Sequence, residues 1–129
     1  MIRVLVVDDN RLIRETVGEL LDAEPDVQVV GRCADGDEVL DAVRAAQPDV
    51  VLMDLSMPRM GGVEATELLR AHAPQVRVVV LTASVDRKQL AAARRAGAVA
   101  EVSKNADPVA VIDAVRTAGG PDVPDRTPA

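Results

Sequence analysis

The sequence predicts a doubly wound α/β domain, in which five parallel strands lie between two layers of helices. Three observations lead there. Short β-branched apolar runs alternate five times with stretches of helical period. Two of the runs, within "IRVLVVDD" (2–9) and "DVVLMDL" (49–55), are nearly continuous in apolar character, as strands covered on both faces should be. Strict strand–helix alternation requires parallel pairing, right-handed crossovers and helices on both faces of the sheet.

In order along the chain, 2–9 is a buried strand. The period then switches: in "NRLIRETVGELLDAE" (10–24), Leu12, Ile13, Val17, Leu20 and Leu21 are expected on one helical face, with Asn10 as N-cap and Pro25 as the stop. "DVQVVGRC" (26–33) reads as a second, less buried strand. "GDEVLDAVRAAQ" (36–47) is a helix with Val39, Leu40 and Val43 inward, ended by Pro48. The third strand, 49–55, precedes the helix "GVEATELLRAHA" (62–73). "QVRVVVLT" (75–82) is the fourth strand, and "DRKQLAAARRAG" (86–97) is a helix closed by Gly97. "AVAEVS" (98–103) is a weaker fifth strand. "DPVAVIDAVRTAGG" (107–120) is the last helix, with Pro108 in its first turn. Residues 1–119 thus form one domain. Residues 120–129, ending in "PDVPDRTPA", read as a Pro-rich linker or tail.

Composition narrows the function classes. At 129 residues with 48% apolar and 28% charged residues, the chain has the make-up of a globular domain with a substantial core. A net charge of −6 argues against the chain itself wrapping nucleic acid. Neither a membrane-length apolar stretch nor a signal-peptide pattern is present, and Cys33 stands alone, so a cytoplasmic location is expected. There is no Phe, Trp or Tyr, so Val, Leu, Ile, Ala and Met must fill the core, and no ring is available to stack a flavin or a base.

In doubly wound sheets, sites lie beyond the carboxyl ends of the strands. Here the first strand ends in Asp8 and Asp9, the third in Asp54 and the fourth in Thr82, while the fifth runs into Lys104. Three carboxylates in one pocket repel unless a cation is present. Lys104 supplies one. Mg²⁺, held by one or two carboxylates and keeping waters that a phosphate oxygen can displace, suits the remainder. A carboxylate beside Mg²⁺, a Lys and a Thr hydroxyl has the groups that phosphoryl transfer to an Asp requires. Asp54, after the most buried strand, is the candidate nucleophile, and Asp8 with Asp9 the candidate metal pair.

Taken together, "VLVVDD" (4–9), "DVVLMDLSMPRMGG" (49–62), "VVVLTAS" (78–84) and "AGAVAEVSK" (96–104) resemble the receiver domain of two-component response regulators, over residues 2 to about 118. Between 31 and 70 the wording is most similar to receivers of the NarL/LuxR class. The resemblance implies a single (βα)5 flavodoxin-like three-layer domain with strand order 2-1-3-4-5. It implies that Asp54 accepts a phosphoryl group from a sensor histidine kinase and slowly loses it again. Asp8, Asp9, Asp54 and the backbone carbonyl of Ser56 would hold Mg²⁺. Thr82 would report the phosphate, and Lys104 would pair with Asp54 and then with the phosphoryl group. Ala83 matches the small residue expected after the Thr, and Ser84 occupies a position that tunes dephosphorylation. The class implies switching of a partner surface, a homodimer as one assembly, and contact with DNA only through an output domain outside this chain. It implies neither a membrane partner nor a classical enzyme.

Two features depart from the pattern. Three residues before the Lys, where the family commonly carries an aromatic ring, this chain has Glu101, and Lys104 is followed by Asn105 rather than Pro. A receiver-like interaction domain whose switching does not depend on phosphate is therefore a competing reading. A haloacid-dehalogenase-like phosphatase is disfavoured because Ser56 stands where its second acid is needed. A flavodoxin-like electron carrier is disfavoured by the missing aromatics. Simpler roles suffice for other residues: Met53 as core, Met57 and Met60 packed under the loop, His72 solvated, Cys33 a small buried hydrophobe, and Arg87, Lys88, Arg94 and Arg95 a solvated helix face.

Overall fold

The structure is a computed structural model that describes residues 1–83 and 86–120. Ser84 and the Pro-rich segment 121–129 lie outside the described residues. The elements alternate as predicted: β1 Ile2–Val7, α1 Arg11–Asp22, β2 Val27–Cys33, a 3₁₀ turn Gly36–Glu38 leading into α2 Val39–Ala46, β3 Val50–Met53, α3 Gly62–His72, β4 Arg77–Thr82, α4 Arg87–Ala96, β5 Ala100–Ser103 and α5 Pro108–Gly119. The strands form one sheet in the order β2-β1-β3-β4-β5, and every pairing is parallel.

Alternation along each strand explains why the apolar runs are continuous. Val4 and Val6 of β1 and Val50 and Leu52 of β3 enter one core, with Leu21 of α1 and Val111, Ile112 and Val115 of α5. Leu5, Val7, Val51 and Met53 point the other way into a second core, with Val39 and Val43 of α2 and Ala65 and Leu69 of α3. A third, much smaller cluster of Leu55, Val80 and Ala93 lies under α4. Leu5, Leu21, Leu52 and Leu69 are no more than 1% exposed, and truncating a Leu so placed to Ala costs about 2–5 kcal/mol.

The helix ends follow the predicted chemistry. Asn10 Oδ1 accepts the Ile13 amide at 3.1 Å, Asp107 Oδ1 accepts the Val109 amide at 2.9 Å with Pro108 in the first turn, and Gly97 closes α4 at φ +125°. One face differs. Ile13, Val17, Leu20 and Leu21 turn towards the sheet, but Leu12 is 72% exposed, one position beyond the inward stripe. β1 ends at Val7 rather than at Asp9, because the Asp8 carboxylate accepts the Asn10 amide at 2.9 Å and turns the chain into α1. The predicted helix at 36–47 begins as a 3₁₀ turn, its first amide, Gly36 N, donating to Met60 O at 3.1 Å across the loop that follows β3.

Candidate functional site

Strand order reverses between β1 and β3, each of which leads away to a different edge of the sheet. That switch point is where a doubly wound sheet opens a crevice, and Asp8 and Asp54 occupy it. The ladder continues one step past each strand: Asp8 N donates to Cys33 O at 3.1 Å and Asp54 N to Val7 O at 2.9 Å. Both acids are therefore fixed by backbone before their side chains do anything. Asp8 is 1% exposed and Asp54 4%, whereas Asp9 is open to solvent.

Carboxylate oxygens of Asp8, Asp9 and Asp54 all lie within 4.8 Å of one another. Lys104, delivered by the end of β5, reaches across to them, its Nζ 2.8 Å from Asp8 Oδ2 and 3.2 Å from Asp54 Oδ1. The backbone holds it there through Lys104 N to Thr82 O at 2.9 Å. Thr82 itself is 6% exposed, at the last position of β4 opposite Ser103. Ser56 is exposed in the loop after Asp54, and its backbone amide helps to hold the Asp54 carboxyl down. Ala83 is exposed next to Thr82. The structure thus brings Asp8, Asp9, Asp54 and Lys104 together, with Thr82 and Ser56 on the adjoining chain.

The electrostatics favour a cation among these acids. Burial pushes the Asp54 carboxyl up to about 6, repulsion by Asp8 adds to that, and Lys104 and the Ser56 amide only partly offset them. Burial alone would lower the Lys104 ammonium, but its close contacts with the Asp8 and Asp54 carboxylates and their charges raise it above its ordinary value. Three acids against one fixed ammonium leave an excess of two negative charges. Asp8 Oδ2 is buried and accepts no aligned hydrogen bond, its contact with Lys104 being one of charge alone. An all-oxygen cluster with two surplus negative charges, in which the buried Asp8 Oδ2 has an ion-pair contact but no aligned hydrogen bond, fits a hard divalent cation.

The loop from Asp54 back to α3 is tightly closed. Gly62 N donates to Leu55 O at 2.9 Å, and a Cβ on Gly62 would lie 2.2 Å from Asp54 O, so only glycine fits. The buried acid Asp35, which the sequence pattern did not single out, reaches this loop from the end of β2. Its Oδ2 accepts Arg59 N at 2.9 Å, and its Oδ1 accepts Met60 N at 2.7 Å and Asp37 N at 3.3 Å. An acid beside a glycine in "CADGDE" was the available signal, but nothing local indicated a partner 24 residues away.

The simpler readings are mostly met. Met53 is fully buried, Met57 and Met60 pack partly buried against the α2–α3 core, and His72 is exposed. Cys33 is buried, and burial pushes its thiol up to about 11, with the Glu38 charge adding, so it is a poor nucleophile. Arg94 is the exception on its helix face. It is ion-paired rather than merely solvated, its Nη2 lying 3.0 Å from Glu101 Oε1.

A crevice of buried aspartates at a switch point, countered by one lysine, is the arrangement of a phospho-acceptor α/β domain. The chain belongs to the response regulator receiver domain family, which it matches over residues 4–116. It is 36% identical over 118 residues to the transcriptional regulatory protein LiaR of Bacillus subtilis, covering 92% of this chain and 56% of that protein. It is 38% identical over 117 residues to the response regulator UvrY of Escherichia coli, covering 91% and 54%. Among solved structures it is similar to the signal receiver domain of NarL from Mycobacterium tuberculosis, with a TM-score of 0.87 and 32% identity over 92% of this chain and 97% of that one. The chain spans about half the length of the two curated relatives. No helix among the described residues is long and apolar enough to cross a membrane.

Proposed function

We propose that this receiver domain accepts a phosphoryl group on Asp54 from a sensor histidine kinase, and so controls a DNA-binding output domain in a longer regulator. The observation that carries the reading is the contact of Lys104 Nζ with both Asp8 and Asp54 inside a three-carboxylate cluster. Asp8, Asp9, Asp54 and the Ser56 carbonyl are the groups that would hold Mg²⁺. The ion, when bound, neutralises the phosphoryl oxygens and lowers the Asp54 carboxyl towards its ordinary range.

The chain's own residues do the rest. An Asp54 carboxylate oxygen attacks phosphorus, and the bond from phosphorus to the donor's imidazole nitrogen breaks, leaving the electron pair on that nitrogen. Lys104, released from its share of Asp54, turns its ammonium to the new phosphoryl oxygens, and the Thr82 hydroxyl donates to one of them. The exposed Ala83 leaves the approach open. Turnover as an enzyme is not part of this role; slow self-dephosphorylation ends the signal. The similarity to LiaR, a transcriptional regulatory protein, supports a transcriptional output, and a homodimer and a linker over 120–129 fit the same reading.

The test is incubation with acetyl phosphate and Mg²⁺ followed by intact-mass measurement. One added phosphoryl group is expected, absent from Asp54→Asn and when Mg²⁺ is chelated. Equal labelling of wild type and Asp54→Asn would overturn the assignment.

A further inference from the structure

We propose that Asp35, on the β2–α2 connection, is a positioning residue for the metal-binding side of the phospho-acceptor site, an inference that rests on the function proposed above. Asp35 is 1% exposed, yet it forms no ion pair among the described residues. Instead, both carboxylate oxygens are spent on backbone amides, two of them in the loop that begins at Asp54 and Ser56. A buried carboxylate accepting several amides is held as the anion. Here the burial that disfavours its charge is outweighed by the amides of Arg59, Met60 and Asp37, and its carboxyl lies below the ordinary range.

The loop is thus fixed at both ends. At its base, Gly62 closes onto Leu55 and the Asp54 backbone. At its far side, Asp35 takes Arg59 and Met60, Gly36 N donates to Met60 O, and the Arg59 guanidinium bridges to Asp37 at 2.7 Å and Glu38 at 3.2 Å. Ser56, whose carbonyl is the proposed fourth metal group, lies between these two fixed points. The end of β2 that leads into this connection braces the other wall of the site, since Cys33 O accepts Asp8 N. One short segment, residues 33–38, therefore sets the separation between Asp8 and the Ser56 loop. Groups that orient a metal ligand from outside commonly change metal affinity by about 10–100-fold when removed.

Asp35→Ala removes all three acceptor bonds. Asp35→Asn keeps one acceptor oxygen for Met60 N and Asp37 N but turns an amide group towards Arg59 N. Mg²⁺ titration followed by the amide resonances of Asp54 and Ser56 gives a half-saturation that does not require turnover. The expected result is an increase of about tenfold in Asp35→Ala and a smaller increase in Asp35→Asn. The acetyl phosphate rate should fall more at limiting than at saturating Mg²⁺. A purely structural role would lower the melting temperature without moving the half-saturation of the folded protein, and that outcome overturns the proposal. Should Asp35→Ala not fold, Asp35→Asn decides alone: a shifted Arg59 amide with wild-type half-saturation overturns it. A wild-type protein that neither responds to Mg²⁺ nor accepts phosphate overturns the phospho-acceptor reading, and this proposal with it. A normal wild type with an unchanged Asp35→Ala overturns only the proposal.

Discussion

At the scale of a residue, Asp54 illustrates how a reactive group is held against its own stability. Its carboxyl is raised to about 6, first by burial and next by the Asp8 charge, so the folded protein keeps that proton longer than the unfolded chain does. Below the unfolded value both states are protonated and the full contribution is present; as pH rises through 6 it is lost. At neutral pH the ionised Asp54 therefore destabilises the metal-free fold, by about 2 kcal/mol from a shift of this size after allowance for solvent. Asp54→Asn keeps the shape and removes the charge. In chelator, urea unfolding followed by circular dichroism is expected to give a variant more stable than wild type at pH 7.5, by an amount that vanishes near pH 4. A gap that does not change with pH would show that ionisation of Asp54 is not the cause. The position of this acid was legible in the sequence because it ended an apolar run. Asp35 was not, since its partners are set by the tertiary approach of two loops and leave no local pattern.

At the scale of elements, the strands were readable because both faces of each are covered, which makes their apolar runs continuous. Their ends were less so: β1 and β3 stop short of the predicted boundaries where Asp8 and Asp54 leave the sheet to form the site. Helix α4 is the least anchored layer. Its apolar contacts with the sheet run through a cluster of three buried residues, and its outward side is tied to β5 by Arg94 and Glu101. Glu101 pairs with Val80 in register, two residues before Thr82 on the same strand face, so the ion pair lies on the path from the site to α4. A side chain paired with Arg94 on α4 is held on the helix side and is not free to turn towards Thr82. Beryllofluoride with Mg²⁺ is accordingly expected to shift amide resonances around Asp54 and Thr82 strongly and those of 86–118 weakly. Glu101→Ala should enlarge the response over 86–118 while changing stability by less than about 1 kcal/mol, as is usual for an exposed pair. A strong, coherent wild-type shift across that surface would show that the ion pair does not restrain α4.

At the scale of the whole molecule, the burial and repulsion that make the ionised Asp54 weaken the metal-free fold become affinity for a divalent cation. The two surplus negative charges sit where the ends of β1, β3 and β5 come together, with the 33–38 segment bonded to the Asp8 backbone and to the loop after Asp54. A cation binding there interacts with the folded arrangement of Asp8, Asp9 and Asp54 and far less with the unfolded chain, where those carboxylates are separated. Folding and ion binding are then coupled, and the melting temperature should rise with Mg²⁺ concentration. A concentration 100 times the dissociation constant corresponds to about 2.7 kcal/mol. For a domain of this size that is an increase of roughly 10 °C, reversed by chelator. The control lies in the acids themselves: Asp9→Asn, at an exposed position that contributes little to packing, should fold normally yet lose most of the Mg²⁺ dependence. Asp54→Asn should start more stable than wild type and gain less from the ion. Wild type and Asp9→Asn responding equally to Mg²⁺ would mean that the ion stabilises the protein from somewhere other than this cluster.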